Sequence, residues 1–306
     1  MNYKKMGRAR SFLKFVHEDR IDVLENGMLR LTPPRELNDP FEVNPIIFEM
    51  DHENLYSSVQ ADHTNMNDSD REYTNYRHSC RKLYRDKYQE FVNDFGILSL
   101  TSNDFMTSQP SIVVVDPMDP MRNLLMWAHY ANEHKGFLIE FSSDFMEATH
   151  GITHEDIKPV SYSNERPILL FEDVEMKKMD PFYIKGDSWQ YENEWRIVLP
   201  LTSSHTVKEN NIHLYKFNRK SILSVICGCK MSKENKTRIR KIMKDPDLGY
   251  PAYYEAELDN EHTTVIIDSY SGDDYQWTNN QPFGNEMIYQ VYNQFSPETI
   301  KSKYGK

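Results

Sequence analysis

Apolar positions near the start of the chain gather in two short runs with a polar patch between them. Ser11–Val16 (SFLKFV) predicts a strand, Glu18–Asn26 a short helix stopped by Gly27, and Met28–Thr32 a second strand. A glycine just past a helix end supplies the left-handed conformation that most residues resist. Pro33-Pro34 ends the second strand, and Leu37-Asn38-Asp39-Pro40-Phe41-Glu42 makes a tight polar turn, since Pro40 pushes Asp39 out of the helical region. Residues 51–70 are polar and without period, as in a loop or insertion. From Arg71 to Phe95, Tyr73, Tyr76, Tyr84, Tyr88, Phe91 and Phe95, with Cys80 filling the gap, fall three and four apart and define one helical stripe. Such a stripe is far more often core packing than a ligand box. Gly96 ends that helix and Ile97–Thr101 begins a strand.

Pro110, Pro117 and Pro120 make residues 103–121 a loop. Asn123–Glu133 predicts a helix with Leu124, Leu125, Trp127 and Ala128 toward the core, and Gly136 separates it from a strong strand, Phe137–Phe141. Further strands are expected at Pro159–Tyr162, Trp195–Leu199, His213–Phe217, Ile222–Cys227, Tyr253–Leu258 and Thr264–Ser269, with an amphipathic helix at Ser232–Lys244. Helices cluster early and strands dominate late, which points to an α+β fold: a mixed, mostly antiparallel sheet with flanking helices. The expected organisation is one structural domain, a core over residues 1–230 and a C-terminal helix, strands and polar tail over 231–306 packed on it.

Composition narrows the function classes. The 306 residues carry 36 basic and 47 acidic side chains, a formal charge of −11, which argues against broad duplex binding by phosphate neutralisation. With only 11 Gly and no phosphate-cradling glycine loop, a glycine-rich dinucleotide fold is not expected. Three cysteines, Cys80, Cys227 and Cys229, are too few for a disulfide framework and fit a reducing compartment. The basic N-terminus lacks the apolar stretch of a signal peptide, and no apolar run is long enough for a membrane span. The expectation is a cytoplasmic protein without a membrane partner.

Three polar clusters carry candidate chemistry. The first is the Asn38-Asp39 turn with Glu42, able to present an amide and carboxylates to a ligand or simply to bond its own backbone. The second is Met126-Trp127-Ala128-His129-Tyr130-Ala131-Asn132-Glu133-His134-Lys135-Gly136. His129 and His134 are five apart and do not share a helix face as a metal pair would, yet His129, Tyr130 or Lys135 could bind an anion or orient a ribose. The third is Lys185–Val198 (KGDSWQYENEWRIV). In an extended segment Glu192, Glu194 and Arg196 share one face, and two acids and a base at the entrance of a buried strand are expensive unless paired or used. Either Arg196 pairs with one of the acids and fixes the sheet, or a carboxylate is kept free for chemistry. Lys14 and His17, on the first strand and its exit, are further candidates.

Leu37–Glu42, then Leu125–Tyr130 with His134–Phe137, then Trp189-x-Tyr191-Glu192-x-Glu194-Trp195-Arg196 occur in this order, and together they resemble the bacterial domain-of-unknown-function family two-nine-seven-one over about residues 10–230. The opening strand–helix–Gly27–strand unit also resembles, more distantly, the start of ADP-ribosyltransferases. That second resemblance implies a split sheet with NAD in its cleft and a macromolecular acceptor, protein or nucleic acid. It further implies an association with toxins or phage defence. The acid that polarises the nicotinamide ribose would be Glu194 or Glu192 of the Glu-x-Glu pair, with Glu194 preferred. Lys14 would stand where that superfamily has His or Arg, Thr32 at its hydroxyl position, and Asn38, Asp39, His129, Tyr130 and Arg196 around the cofactor. This mechanism needs an uncompensated carboxylate to offset the oxocarbenium charge of the transition state. Two alternatives stand beside it: a metal-dependent nuclease or hydrolase using Asp39, Glu42 and Glu140 or Glu192, and a non-catalytic sensor or interaction domain. No compact ligand motif assigns a metal.

Overall fold

The computed structural model describes residues 11–48, 68–103, 119–147, 151–203, 206–208, 212–260 and 263–269. Most of the polar stretch at 51–70, most of the loop at 103–121, the basic N-terminus and the tail after residue 269 lie outside the described residues. The strands are β1 (Ser11–Val16), β2 (Met28–Leu31), β3 (Ile46–Phe48), β4 (Phe95–Asn103), β5 (Phe137–Ser142), β6 (Lys158–Pro159), β7 (Ser161–Tyr162), β8 (Ile168–Leu170), β9 (Ile184–Lys185), β10 (Glu194–Pro200), β11 (Thr206–Lys208), β12 (Ile212–Lys216), β13 (Ile222–Cys227), β14 (Ala252–Leu258) and β15 (Val265–Ser269). Eight of them form one sheet in the order β15-β14-β13-β5-β1-β4-β10-β6, and β11-β12-β2 form a second. Among the described residues of the large sheet only β13 and β14, joined through the helix Lys233–Ile242, are parallel. The α+β class with a mixed, mostly antiparallel sheet is thus as expected.

The large sheet forks at its centre. β1 pairs with β5 along its whole length, Ser11 to Val16, but with β4 only over Ser11–Leu13 against Thr101–Asn103. Beyond that last rung the two strands part. β4 keeps its other neighbour, β10, from Thr101 to Phe95, while farther along its parted edge Ile97 exchanges both backbone hydrogen bonds with Thr32, just past the end of β2. The second sheet therefore joins the first at the open side of the fork. Every strand edge must find partners for its backbone groups, and across the gap Lys14 Nζ donates to the Ser99 carbonyl oxygen at 2.7 Å.

One face of the sheet packs Phe12, Leu98, Leu100, Ile139, Trp195 and Ile197 into the main core. Leu13, Phe15, Met126 and Trp127 form a smaller cluster, and the helix Asp68–Asn93 adds Tyr88 and Val92 to a third with Ile97 and Phe182. From the predicted stripe, Tyr84 stacks on Phe171 at 3.9 Å between centroids, as packing rather than ligand contact.

Several boundaries differ from expectation for local reasons. The helix expected at 18–26 divides into a 3-10 turn, Glu18–Arg20, and an α-helix, Asp22–Asn26, closed by Gly27 at φ 66°. The helix expected to reach Glu133 stops at Tyr130, because Asn132, Glu133 and His134 all take positive φ and reverse the chain. Gly136 is required there for a different reason than helix termination: a Cβ at this position would sit 2.1 Å from the Val16 carbonyl oxygen. The single strand expected at Pro159–Tyr162 is two, β6 on β10 and β7 on β9. β3, β8 and the helix Phe171–Glu175 had no periodic signal long enough to announce them. Among the described residues no helix is long and apolar enough to cross a membrane.

Candidate functional site

A cavity of about 330 Å³ opens at the fork. Its walls come from β1 (Leu13, Lys14, Phe15), β4 (Ser99, Leu100, Thr101), the segment Thr32–Glu42, the helix Leu124–Tyr130, Lys185 of β9 and the run Glu192–Arg196. The helix is anchored by Asn123, whose side-chain oxygen accepts from the Leu125 and Met126 amides and whose Nδ2 donates to the Tyr191 carbonyl at 2.9 Å. That last bond ties the helix to the 3-10 turn Asp187–Glu192 and brings Tyr130 against Glu192.

Glu192, Glu194 and Arg196 do not share one strand face. Glu192 ends the 3-10 turn, Asn193 takes the left-handed conformation (φ 44°, ψ 51°), and only then does β10 begin. Asparagine tolerates that conformation better than most residues. Glu194 and Arg196 keep the expected alternation, and the turn folds Glu192 back toward them.

The three form part of a closed ionic network. Arg196, fully buried, donates from Nε to Glu194 Oε1 at 2.7 Å and from Nη2 to Oε2 at 2.9 Å; it also donates to the Phe182 carbonyl at 2.8 Å and to Glu42. Lys185 Nζ donates to Glu192 Oε2 at 2.6 Å and to Glu194 Oε2 at 3.2 Å, with Glu42 Oε1 at 3.4 Å. It also lies 4.7 Å from the centre of the Trp189 ring. Tyr130 Oη donates to the other oxygen of Glu192 and accepts from Asn38 Nδ2 at 3.4 Å. The expectation of an uncompensated carboxylate is therefore corrected: Glu194 and Glu192 each hold a cation, and three carboxylates face three cations when Lys14 is counted.

The electrostatics of the two glutamates diverge. Burial opposes the charge on Glu194, but Arg196 and Lys185 outweigh it and hold its carboxyl down at about 2. For Glu192 burial wins over Lys185 and Tyr130, and its carboxyl is raised. Burial and the neighbouring Glu192 carboxylate push the Tyr130 phenol well up. Lys185 is raised despite its burial by Glu194, Glu42 and Glu192. Lys14 goes the other way: burial brings its amine down to about 8, with Glu194 and Glu192 only partly offsetting that.

Of the candidate residues, Lys14, Thr32, Asn38, His129, Tyr130, Glu192, Glu194 and Arg196 line the cavity, with His129 exposed beside Tyr191 at its mouth. Asp39 does not: its carboxylate accepts from the Phe41 amide at 2.9 Å within its own turn. His17 caps the following 3-10 turn through the Asp19 amide, and Lys135 pairs with Glu133 in solvent. Glu140 accepts from Ser11, Asn103 and Ser224 outside the cavity lining, so the trio Asp39, Glu42 and Glu140 does not converge on a metal. Among the described residues no three His, Cys, Asp or Glu side chains are placed to hold one. Lys185 is the residue that sequence reasoning missed. It opened the informative run but lay seven positions from Glu192, and only the intervening turn brings the two together.

Residues 126–197 match the family described as "Protein of unknown function (DUF2971)", which bears out the family resemblance of the motifs over that stretch. No curated protein matches the chain, and no solved structure does. The matched stretch carries Tyr130, Lys185, Glu192, Glu194 and Arg196, while Lys14, Thr32, Asn38 and Glu42 lie ahead of it.

Proposed function

We propose that the cavity takes the nicotinamide-ribose end of NAD and that the chain transfers ADP-ribose to a macromolecular acceptor, with Glu192 rather than Glu194 as the acid at the ribose. One observation carries this reading: Lys14, Thr32 and Glu192, from three distant segments, meet at the fork of a split sheet. The volume lies at the low end of the roughly 300–1,000 Å³ that ligand cavities span, and suits one end of an extended ligand. Glu194 is unsuited to the role because both its oxygens are committed to Arg196. Each oxygen of Glu192 has one donor and a spare lone pair for a ribose hydroxyl. When Lys14 gives up its proton near pH 8, the balanced network acquires one net negative charge, the sign an oxocarbenium-like transition state needs. Turnover should then rise with pH through that region.

The test is release of nicotinamide from NAD by the wild-type chain and by Glu192→Gln, with calorimetric NAD binding and melting temperatures for both. The reading expects a folded variant that binds NAD and turns it over on the order of 10²-fold more slowly. No binding and no nicotinamide release by the wild type would overturn it, as would an equally active variant. Labelled NAD in a cell extract, followed by protease or nuclease digestion, then assigns the acceptor.

A second reading is favoured by the completeness of the ion pairing: a sensor or interaction domain in which the same cavity binds a ligand without transforming it. It expects binding without turnover.

A further inference from the structure

We propose that Lys14 is a nucleophilic amine that captures a small aldehyde or ketone in this cavity as an imine. The inference goes beyond glycosyl transfer and needs neither NAD nor an acceptor. It begins from a contrast between two lysines lining one space. Lys185 Nζ has three carboxylates within 3.4 Å and is held as a cation. Lys14 Nζ has one hydrogen bond, to the Ser99 carbonyl, and among the described residues no carboxylate within ion-pairing distance. A single donated hydrogen bond uses a proton and leaves the lone pair of the neutral amine available. The strand geometry holds it there, since Lys14 is the first residue of β1 past the last rung to β4, where the fork leaves room beside it.

The free-base form is accessible. An amine brought down from 10.5 to about 8 by burial carries on the order of 10²-fold more free base at neutral pH than a solvent lysine. Desolvation of this kind is one way a lysine becomes a nucleophile. In the reaction the nitrogen lone pair attacks the carbonyl carbon, forming C–N while the carbonyl oxygen takes up a proton. The resulting carbinolamine loses its hydroxyl as water together with the remaining nitrogen proton, leaving C=N. The two protons that leave with the oxygen as water are the two the neutral amine brings, so the step balances without another donor. No oxidant or reductant enters the step.

The experiment incubates the full chain with glycolaldehyde, and separately with pyruvate. Cyanoborohydride is present to fix any imine as a secondary amine, and peptide mass mapping follows. The expected result is modification at Lys14 at least about 10-fold faster than at exposed lysines such as Lys135 and Lys177, with a rate rising through pH 8. Lys14→Arg should lose that modification and keep the slow background on the others. Even labelling across the exposed lysines, or an unlabelled Lys14, would overturn the proposal. The wild-type map alone decides this, so the outcome stands even if the variant fails to fold. Absence of nicotinamide release in the NAD assay would leave the result unaffected.

Discussion

Lys185 and Lys14 both line one cavity, and the fold treats them in opposite ways. Lys185 sits with Arg196 among Glu42, Glu192 and Glu194, and every charge there has a partner. Lys14 sits where two strands part and, among the described residues, holds only a backbone carbonyl. The difference teaches that ionisable residues sharing a cavity need not share a role. Desolvating a set of ions is tolerated only when their mutual attraction and hydrogen bonds compensate, so the Lys185 side is built to stay charged and fixed. Burial that outweighs the nearby carboxylates instead favours the neutral form, so the Lys14 side is built to lose a proton.

The largest test of this contrast is Arg196→Met. Removing the guanidinium leaves Glu194 and Glu42 buried with Lys185 alone, and should cost about 3–5 kcal/mol, read from the urea midpoint. Lys14→Met leaves one carbonyl unpaired and should cost about 1–3 kcal/mol. Equal losses would erase the distinction between the two sides.

Acid is next. The Glu194 carboxyl is held at about 2, against 4.5 for its ordinary value. Between those values the unfolded chain binds more protons, so this group stabilises the fold above pH 4.5 and loses that contribution as pH falls toward 2. Its share is on the order of 3 kcal/mol, and Glu194→Gln should flatten that limb of a stability–pH curve. Glu192, raised, acts above that limb: its contribution is fully present below pH 4.5 and is lost as pH rises beyond that value. On the alkaline side Lys14, lowered to about 8, makes the folded state less favourable below that pH. Stability should therefore gain from Lys14 as pH rises from about 8 toward 10.5, a gain that Lys14→Met abolishes.

Two smaller effects sharpen the boundary. Tyr130→Phe removes a donor to Glu192 and should cost about 1–2 kcal/mol in the same denaturation assay. Asn38→Ala removes only a long, exposed bond of 3.4 Å and should stay within about 0.5 kcal/mol. A loss as large as that for Tyr130 would extend the fixed side to the cavity rim.

The fold was legible wherever a periodic run was long enough. Ser11–Val16 and Ile222–Cys227 form strands with the bounds their apolar runs predict. The three-residue strands β3 and β8 were not legible, because so short a segment becomes a strand only through its partner. The site was half legible. The Glu-x-Glu-Trp-Arg run marked the right place, and the pairing of Arg196 with Glu194 follows from alternation along β10. The position of Glu192 does not, since it hangs on the left-handed Asn193, and the engagement of Lys185 hangs on the turn between them. Glu42 reaches Arg196 across 154 positions of sequence, a contact set by tertiary packing alone.

The order of strands across the large sheet has one more consequence. All the side chains that line the cavity come from positions 13–196, while β13, β14 and β15 sit beyond β5, on the far side from β10. Truncating the chain before β13 would spare the cavity lining yet strip the cover from the β5 backbone. That would bare a ready template for strand addition by another molecule. Strands β13, β14 and β15 thus cover an edge that would otherwise invite self-association, and their loss should show first as aggregation.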